Sequence, residues 1–368
     1  MEHFKQNLKE TDLTLMGMCC LCSGISVLSM FSIYKTMSIM PNVRPVIVQF
    51  FASIIGIIFA FIISFIDYRE LCERWRWHAA ITYALMLLTM IIGYGPEGTN
   101  NKAWIKLPFG LSLQSSELLK ISTILVLAYF FEKYKNNMDE VKVLVKLVGI
   151  ACVPMVAVAL QKDSGTLLIY GIMIACMFFV AGISKKIIYA ALGAGVVLSP
   201  VMWFYVLGDY QKKRIIGLFK PEEYASIMWQ QTMGRISIGS GQIFGKGFLS
   251  DNHNAIPLVY NDFIFSFIAE SIGFVGTILL LLLIISMWFK ILSIARRAVD
   301  AQGTYICVGV CAMLMAQTFI NIGMNLFILP VIGVTLPLLT AGGTSVVAVY
   351  CSVGLVLSVA RHNKKNLF

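Results

Sequence analysis

Residues 263–289 read FIFSFIAESIGFVGTILLLLLIISMWF, and Glu270 is the only ionisable side chain among them. A helix needs about 20 mostly apolar residues to cross a bilayer core, and this run is longer than that. The rest of the chain has the same character. Of its 368 residues 58% are hydrophobic and 13% charged, against about 45–50% and roughly 25% in a soluble domain. The composition excludes a soluble globular fold.

Outward from this run, ten candidate spans emerge: 13–34, 46–66, 77–94, 117–131, 143–160, 165–183, 187–206, 263–289, 304–329 and 342–360. Pro154 and Pro200 are expected to bend the fifth and seventh. With the N-terminus inside, inner segments hold Lys5, Lys9, Arg69, Arg74, Arg76, Lys133, Lys135, Lys142, Lys146, Lys185, Lys186, Lys290, Arg296, Arg297, Arg361, Lys364 and Lys365. Short outer loops hold Lys35, Arg44, Lys102, Lys106 and Lys162. That excess of inner cations sets the orientation and absorbs the net charge of +10. No basic stripe with interleaved aromatics points to nucleic acid. The expected fold is an all-α polytopic membrane protein of about ten transmembrane helices. Both termini are cytoplasmic, and 1–368 forms one integral membrane domain. The first apolar run lacks a cleavage site and reads as a retained helix.

The nine cysteines avoid the outer loops, so no disulfides are expected. The four histidines are isolated and show no zinc spacing. No cofactor is identified, and a divalent cation has no support in the sequence. Residues 207–262 form one long outer loop between the seventh and eighth spans, ordered and lying on the membrane surface, with 222–236 as a short interfacial helix.

Several polar residues punctuate this apolar chain. Asp262, at the seam between the long loop and the eighth span, reads as a helix N-cap or as a general base whose pKa is raised by apolar neighbours. The two readings are compatible. Lys212, Lys213, Arg214 and Lys220 read as a headgroup-facing basic cluster or as phosphate recognition, with Arg214 able to present a bidentate fork. Glu117 and Lys120, three apart, share a helix face and form a structural ion pair or shape a polar site. Asp163 serves a tight outer turn or points into the same outer cavity as Asp262. GSGQIFGKG, 239–247, lacks the residues of a phosphate-binding loop and reads as a glycine turn that lets backbone approach closely. Asn321 and Asn325 share a face before a Pro- and Gly-broken stretch, which at membrane depth lines a cavity or is covered by protein. Gly342-Gly343-Thr344-Ser345 opens a helix whose free N–H groups could meet an anion, or simply caps and packs.

Together these segments resemble the SEDS family, the FtsW, RodA and SpoVE proteins of bacterial cell-wall synthesis. The matching pieces run in order: AWIKL (103–107), LQSSELLK (113–120), QKDSGTL (161–167), YQKKRIIGLFKP (210–221), IGSGQIFGKGF (238–248), NDFIFSFIAESIGFVG (261–276) and NIGMNLFILPVIGVTLPLLTAGGTS (321–345). The resemblance implies a peptidoglycan glycosyltransferase of the bacterial cytoplasmic membrane. Such an enzyme polymerises lipid II into β-1,4-linked glycan on the outer face. It would work with a class B penicillin-binding protein that crosslinks the product. Asp262 falls on the family's catalytic base. Arg214 and Lys120 are candidates to stabilise the leaving pyrophosphate. Trp104 falls on an outer-loop tryptophan that could stack on sugar or lipid. Glu117, Asp163 and Ser345 complete the expected substrate-binding set. The family pattern before the base, Leu-Pro-Glu-x-His-Thr-Asp, is here Ile256-Pro257-Leu258-Val259-Tyr260-Asn261-Asp262. The acid and histidine of that pattern are therefore absent. The short N-terminal tail leans towards the RodA type. Two other functions fit such a chain: a lipid II transporter, and a non-catalytic scaffold for the penicillin-binding protein. A polymerase places its acid at the outer rim, whereas a transporter spreads polar groups through the bilayer depth, where only Lys120 and Glu270 stand out.

Overall fold

The computed structural model describes residues 12–365 apart from 38, 41, 96–101, 108–111, 139 and most of 185–206. In chain order the elements are α1 (Leu13–Thr36), α2 (Arg44–Phe65), α3 (Tyr68–Glu73), α4 (Trp75–Ile92), the strands β1 (Trp104–Lys106) and β2 (Ser112–Gln114), α5 (Ser115–Tyr134), α6 (Val141–Leu160), α7 (Ser164–Val180), α8 (Asp209–Phe219), α9 (Ala225–Ser240), α10 (Ile264–Arg296), α11 (Ala301–Asn325) and α12 (Gly343–Lys365). Seven of these, α1, α2, α4, α6, α10, α11 and α12, are long and apolar enough to cross a membrane. The apolar α7 has 17 residues. The 20-residue α5 carries Glu117, Lys120, Glu132 and Lys133 and is less apolar. Nine of the ten expected spans thus coincide with helices. The seventh, 187–206, lies almost wholly outside the described residues.

Side-chain burial sorts the helices into layers. The most apolar window of α11 is 78% buried, against 22% for α4, α6 and α10. So α11 is the central post, packed by α5, α7 and α10, with α12 nearly as buried at 72% beside it, while α4 and α6 are peripheral. The outer faces of α2 and α10 present Phe51, Ile58, Ile62, Phe274, Leu279 and Phe289, as helices facing lipid tails should. Helix α2 packs along α12, with Ala60 of one against Gly354 of the other. Small residues there let two backbones approach closely in lipid.

Helix starts follow local chemistry. Asp12, Asp67, Asp163 and Asp300 cap α1, α3, α7 and α11, each accepting from a first-turn N–H. Pro45 occupies the first turn of α2, where its missing N–H costs nothing.

Two breaks shape the outer end. The first is in α10, where Gly273 has φ 67° and ψ −171°, a conformation open essentially to glycine. The backbone bonds interrupted there are remade with the glycine turn. Lys246 N donates to Glu270 O at 2.9 Å, Gly247 N to Ser271 O at 2.9 Å, Phe274 N to Gln242 O at 2.8 Å and Val275 N to Ile243 O at 3.1 Å. A Cβ on Gly273 would lie 2.2 Å from Gly245 N. The turn expected at 239–247 is therefore a close backbone approach, and its target is α10 itself. The loop before the turn is helical, with α9 covering most of the expected interfacial segment 222–236 and extending beyond it, while 248–263 after it is irregular.

The second break is 326–342, which is non-helical throughout. Its polar backbone is satisfied by buried side chains, as membrane depth requires. Gln231 Nε2 donates to Met324 O at 2.9 Å and to Leu329 O at 2.7 Å. Asn321 Nδ2 donates to Val334 O at 2.8 Å. Ser26 Oγ donates to Leu339 O at 2.6 Å. Gln49 donates to Thr340 O at 3.2 Å and accepts from Gly342 N at 3.2 Å.

Candidate functional site

Asp262 ends the loop that the glycine turn begins. The preceding residues are stitched to the second break: Ala341 N donates to Tyr260 O at 2.9 Å, and Thr340 Oγ1 to Asn261 O at 3.3 Å. The Asp262 carbonyl accepts two amides, Asn321 Nδ2 at 3.1 Å and Asn325 Nδ2 at 2.9 Å. Its backbone is thus held from α11, while its side chain is half-buried. The expectation that Asp262 caps the following helix is corrected. Phe263 holds the N-cap position without a side-chain cap, and the Asp262 carboxyl accepts no hydrogen bond among the described residues. Burial raises its pKa from 3.8 to about 6, partly opposed by the nearby Arg214 guanidinium. An unbonded, partly desolvated carboxylate with that pKa can take a proton near neutral pH.

Arg214 comes from α8. Its guanidinium donates to Val331 O and, at 2.9 Å, to Tyr210 Oη, and its Cζ lies 4.5 Å from the Tyr210 ring centroid. That fixes a delocalised cation on the rim of the second break, near enough to lower the Asp262 pKa. The start of α7 borders the same break, with Gly165 against Ile332 O. Asp163 caps α7, with Oδ1 accepting from Thr166 N at 3.0 Å and Oδ2 from Thr166 Oγ1 at 2.8 Å. Gln114 Nε2 adds a third bond at 3.2 Å. Asp163 therefore satisfies its turn reading. It ties α7 to the β1–β2 hairpin, where Trp104 pairs antiparallel with Gln114. Ser345 Oγ shares a hydrogen bond with Thr335 Oγ1 at 3.2 Å, and Thr344 Oγ1 donates to Ser112 O. Asp163, Arg214 and Ser345 thus sit on segments that border the second break, and Trp104 joins them through its pairing with Gln114.

Glu117 and Lys120 are arranged differently. They pair at 2.7 Å with side-chain exposures of 5% and 0%, and neither bonds Asp262 among the described residues. Glu270 is likewise committed. Its carboxylate accepts from Lys246 Nζ at 2.6 Å, Ser237 Oγ at 2.6 Å, Ser240 Oγ at 2.9 Å and Asn254 Nδ2 at 2.7 Å, so it clamps the loop to α10. Among the described residues no three of His, Cys, Asp and Glu gather as metal ligands. An apolar groove of about 190 Å³ between α4, α5 and α6 is lined by residues including Trp75, Tyr83, Phe130 and Pro154, with no carboxylate among them. The residues missed in the sequence are Gln49 and Gln231. Gln49 lies inside the apolar span 46–66, where a glutamine must find a backbone partner, and that was the available signal; Gln231 lies in the outer loop, where hydropathy offers none.

A sequence model of the family FtsW/RodA/SpoVE, described as "Cell cycle protein", matches residues 10–365. "Peptidoglycan glycosyltransferase MrdB" of Escherichia coli (strain K12) is 33% identical over 76% of this chain and 76% of its own. "Stage V sporulation protein E" of Bacillus subtilis (strain 168) is 31% identical over 84% of this chain and 85% of its own. Among solved structures, a chain reported under "Structural coordination of polymerization and crosslinking by a peptidoglycan synthase complex" superimposes with a TM-score of 0.80. It is 24% identical and covers 96% of this chain and 98% of that one. The Thermus thermophilus rod shape determining protein RodA matches with a TM-score of 0.70, at 24% identity, over 96% of this chain and 97% of its own. These last two share the fold, an all-helical membrane bundle. The match across nearly the whole length places this chain in the FtsW/RodA/SpoVE family of multi-pass cytoplasmic-membrane proteins.

Proposed function

We propose that this chain is a peptidoglycan glycosyltransferase that polymerises lipid II on the face that loop charge assigns to the outside, with Asp262 as general base. The observation that carries the reading is the Asp262 carboxyl: unbonded, with its pKa raised to about 6 and Arg214 beside it. In the reaction the carboxylate takes the proton of an acceptor sugar's 4-hydroxyl. The oxygen attacks the anomeric carbon of the donor, the bond to undecaprenyl pyrophosphate breaks, and inversion yields a β-1,4 linkage. The proton then leaves Asp262 for solvent. Arg214 offers a fixed cation for charge growing on the departing pyrophosphate. Trp104, Asp163 and Ser345 line the approach as substrate-binding residues, and the Glu117–Lys120 pair supports it from within. Relatives named as glycosyltransferases support the activity.

The buried acids Glu117 and Glu270 are each paired with a lysine, Glu270 clamping the outer loop, which favours a reaction at the rim over transport through the bilayer. A class B penicillin-binding protein is the proposed partner, crosslinking what this chain polymerises. The test is incubation of the purified protein with labelled lipid II, with and without that transpeptidase. Glycan strands that lengthen when the partner is added support the assignment. Lipid II translocated across proteoliposomes without polymer would support transport. Partner binding with neither activity would leave a scaffold.

A further inference from the structure

The apolar groove between α4, α5 and α6 is walled by three helical stripes. Trp75, Ala79 and Tyr83 come from α4, Val126 and Phe130 from α5, and Ile150 and Val153 from α6. The serine and threonine in its wall are already committed. Ser122 Oγ shares a hydrogen bond with His78 Nδ1 at 2.8 Å, and Thr123 Oγ1 donates to Leu119 O at 2.8 Å. Val153 is 53% exposed, so the groove opens sideways towards lipid. Its volume of about 190 Å³ exceeds the roughly 150 Å³ of a cavity that holds benzene, so it fits a stretch of one hydrocarbon chain. At the cytoplasmic end the stripes run into aromatic rings and cations. The Trp75 ring lies 5.1 Å from that of Phe130, which stacks on Tyr134 at 6.3 Å. Lys146, one turn before Ile150, donates to Tyr134 Oη at 2.6 Å. Lys133 Nζ lies 6.0 Å from the Tyr134 ring and Arg76 Cζ 5.6 Å from the Trp75 ring. All three cations are exposed. The neighbouring Glu132 is taken by Lys135 at 2.5 Å, and among the described residues no carboxylate pairs with Arg76, Lys133 or Lys146.

We propose that this groove and its basic mouth bind one anionic phospholipid of the inner leaflet, with an acyl chain in the groove and the headgroup phosphate among Arg76, Lys133 and Lys146. Inner cations alone would only set orientation. Here they stand on aromatic rings at the end of a lipid-facing groove, and unpaired cations between spans on the cytoplasmic side suit an anionic headgroup. The rings sit at headgroup level, where tryptophan and tyrosine are favoured. A lipid held there would tie α4 and α6, whose apolar windows are each only 22% buried, to α5. The site lies at the inner face, away from Asp262, and does not depend on the reading of that residue as the base.

The test is native mass spectrometry of the full chain in detergent, titrated with phosphatidylglycerol, phosphatidylcholine of the same acyl chains, undecaprenyl phosphate or inorganic phosphate. One phosphatidylglycerol should bind saturably, about tenfold or more tighter than phosphatidylcholine. Each cation beside an anionic headgroup is worth about fivefold, so Lys133→Gln with Lys146→Gln should weaken phosphatidylglycerol about 25-fold and leave phosphatidylcholine unchanged. Val153→Trp, at the exposed lip, should fill the groove and weaken both phospholipids. The two glutamines replace exposed side chains and carry the test if the tryptophan variant does not fold. Equal affinity for the two phospholipids, or phosphatidylglycerol held within about twofold by the double variant, overturns the headgroup site. Unchanged binding in folded Val153→Trp, or displacement of phosphatidylglycerol by an equal concentration of inorganic phosphate, overturns the groove. Tighter binding of undecaprenyl phosphate makes an isoprenoid the occupant and overturns the phospholipid assignment.

Discussion

Glu270→Ala should detach the outer loop from α10 without dissolving the bundle. The carboxylate is fully buried and accepts from Lys246, Ser237, Ser240 and both the backbone and side chain of Asn254. Removing one partner of a buried, hydrogen-bonded ion pair costs about 3–5 kcal/mol. The Lys246 side chain keeps 24% of its surface exposed, so its ammonium can rehydrate and the lower end, about 3 kcal/mol, applies. That energy belongs to the docking of 241–262, so local opening of this segment should rise by about two decades. Hydrogen exchange read by mass spectrometry in detergent measures it directly at Lys246 and Gly247. Their amides bond Glu270 O and Ser271 O. Protection there should fall about a hundredfold, while α11 stays protected. Glu270→Gln, which keeps an acceptor and loses the charge, should fall between. Protection in Glu270→Ala within about threefold of the parent would refute the clamp.

The pH dependence follows from Asp262. A base with a pKa of about 6 is protonated below that value, so kcat/KM should drop about tenfold per unit on the acid side and level off above it; a profile flat down to pH 4.5 would contradict this. Gly273→Ala forces a side chain into a conformation costing about 1–3 kcal/mol and drives its Cβ towards Gly245 N. The melting temperature in detergent should fall, and the 241–262 segment should become protease-sensitive. Lys120→Met alone leaves the Glu117 carboxylate unpaired in the interior and should cost about 3–5 kcal/mol. Adding Glu117→Gln should restore most of the melting temperature, and a double variant as unstable as the single one would argue against a closed pair.

Much of this architecture was legible because a bilayer imposes a simple rule on sequence. The run 263–289 could not be anything but a span, and Glu117 with Lys120 at three-residue spacing predicted their own pairing. The glycine turn was legible as a close approach, but its target was not. Apolar periodicity runs unbroken through Gly273 and conceals the kink. Asp262 was found by its position, yet its capping role was misread. Phe263 takes the N-cap position, and the Asp262 carbonyl is held by Asn321 and Asn325, 59 and 63 residues away in sequence, and local rules see only neighbours. The partners of Glu270 were hidden for the same reason, since Lys246 and Asn254 sit in a loop whose path the hydropathy does not encode. The β1–β2 hairpin is too short to leave a pattern.

The central claim is that the free carboxylate of Asp262 removes the acceptor's proton. Folded Asp262 has a raised pKa, so above pH 6 its anion is a burden on stability that an amide would relieve. The decisive measurement is lipid II polymerisation at pH 7.5 by purified Asp262→Asn protein whose melting temperature equals or exceeds the parent's. The account predicts that no glycan forms from this well-folded variant. Glycan synthesis at a rate near the parent's would contradict it.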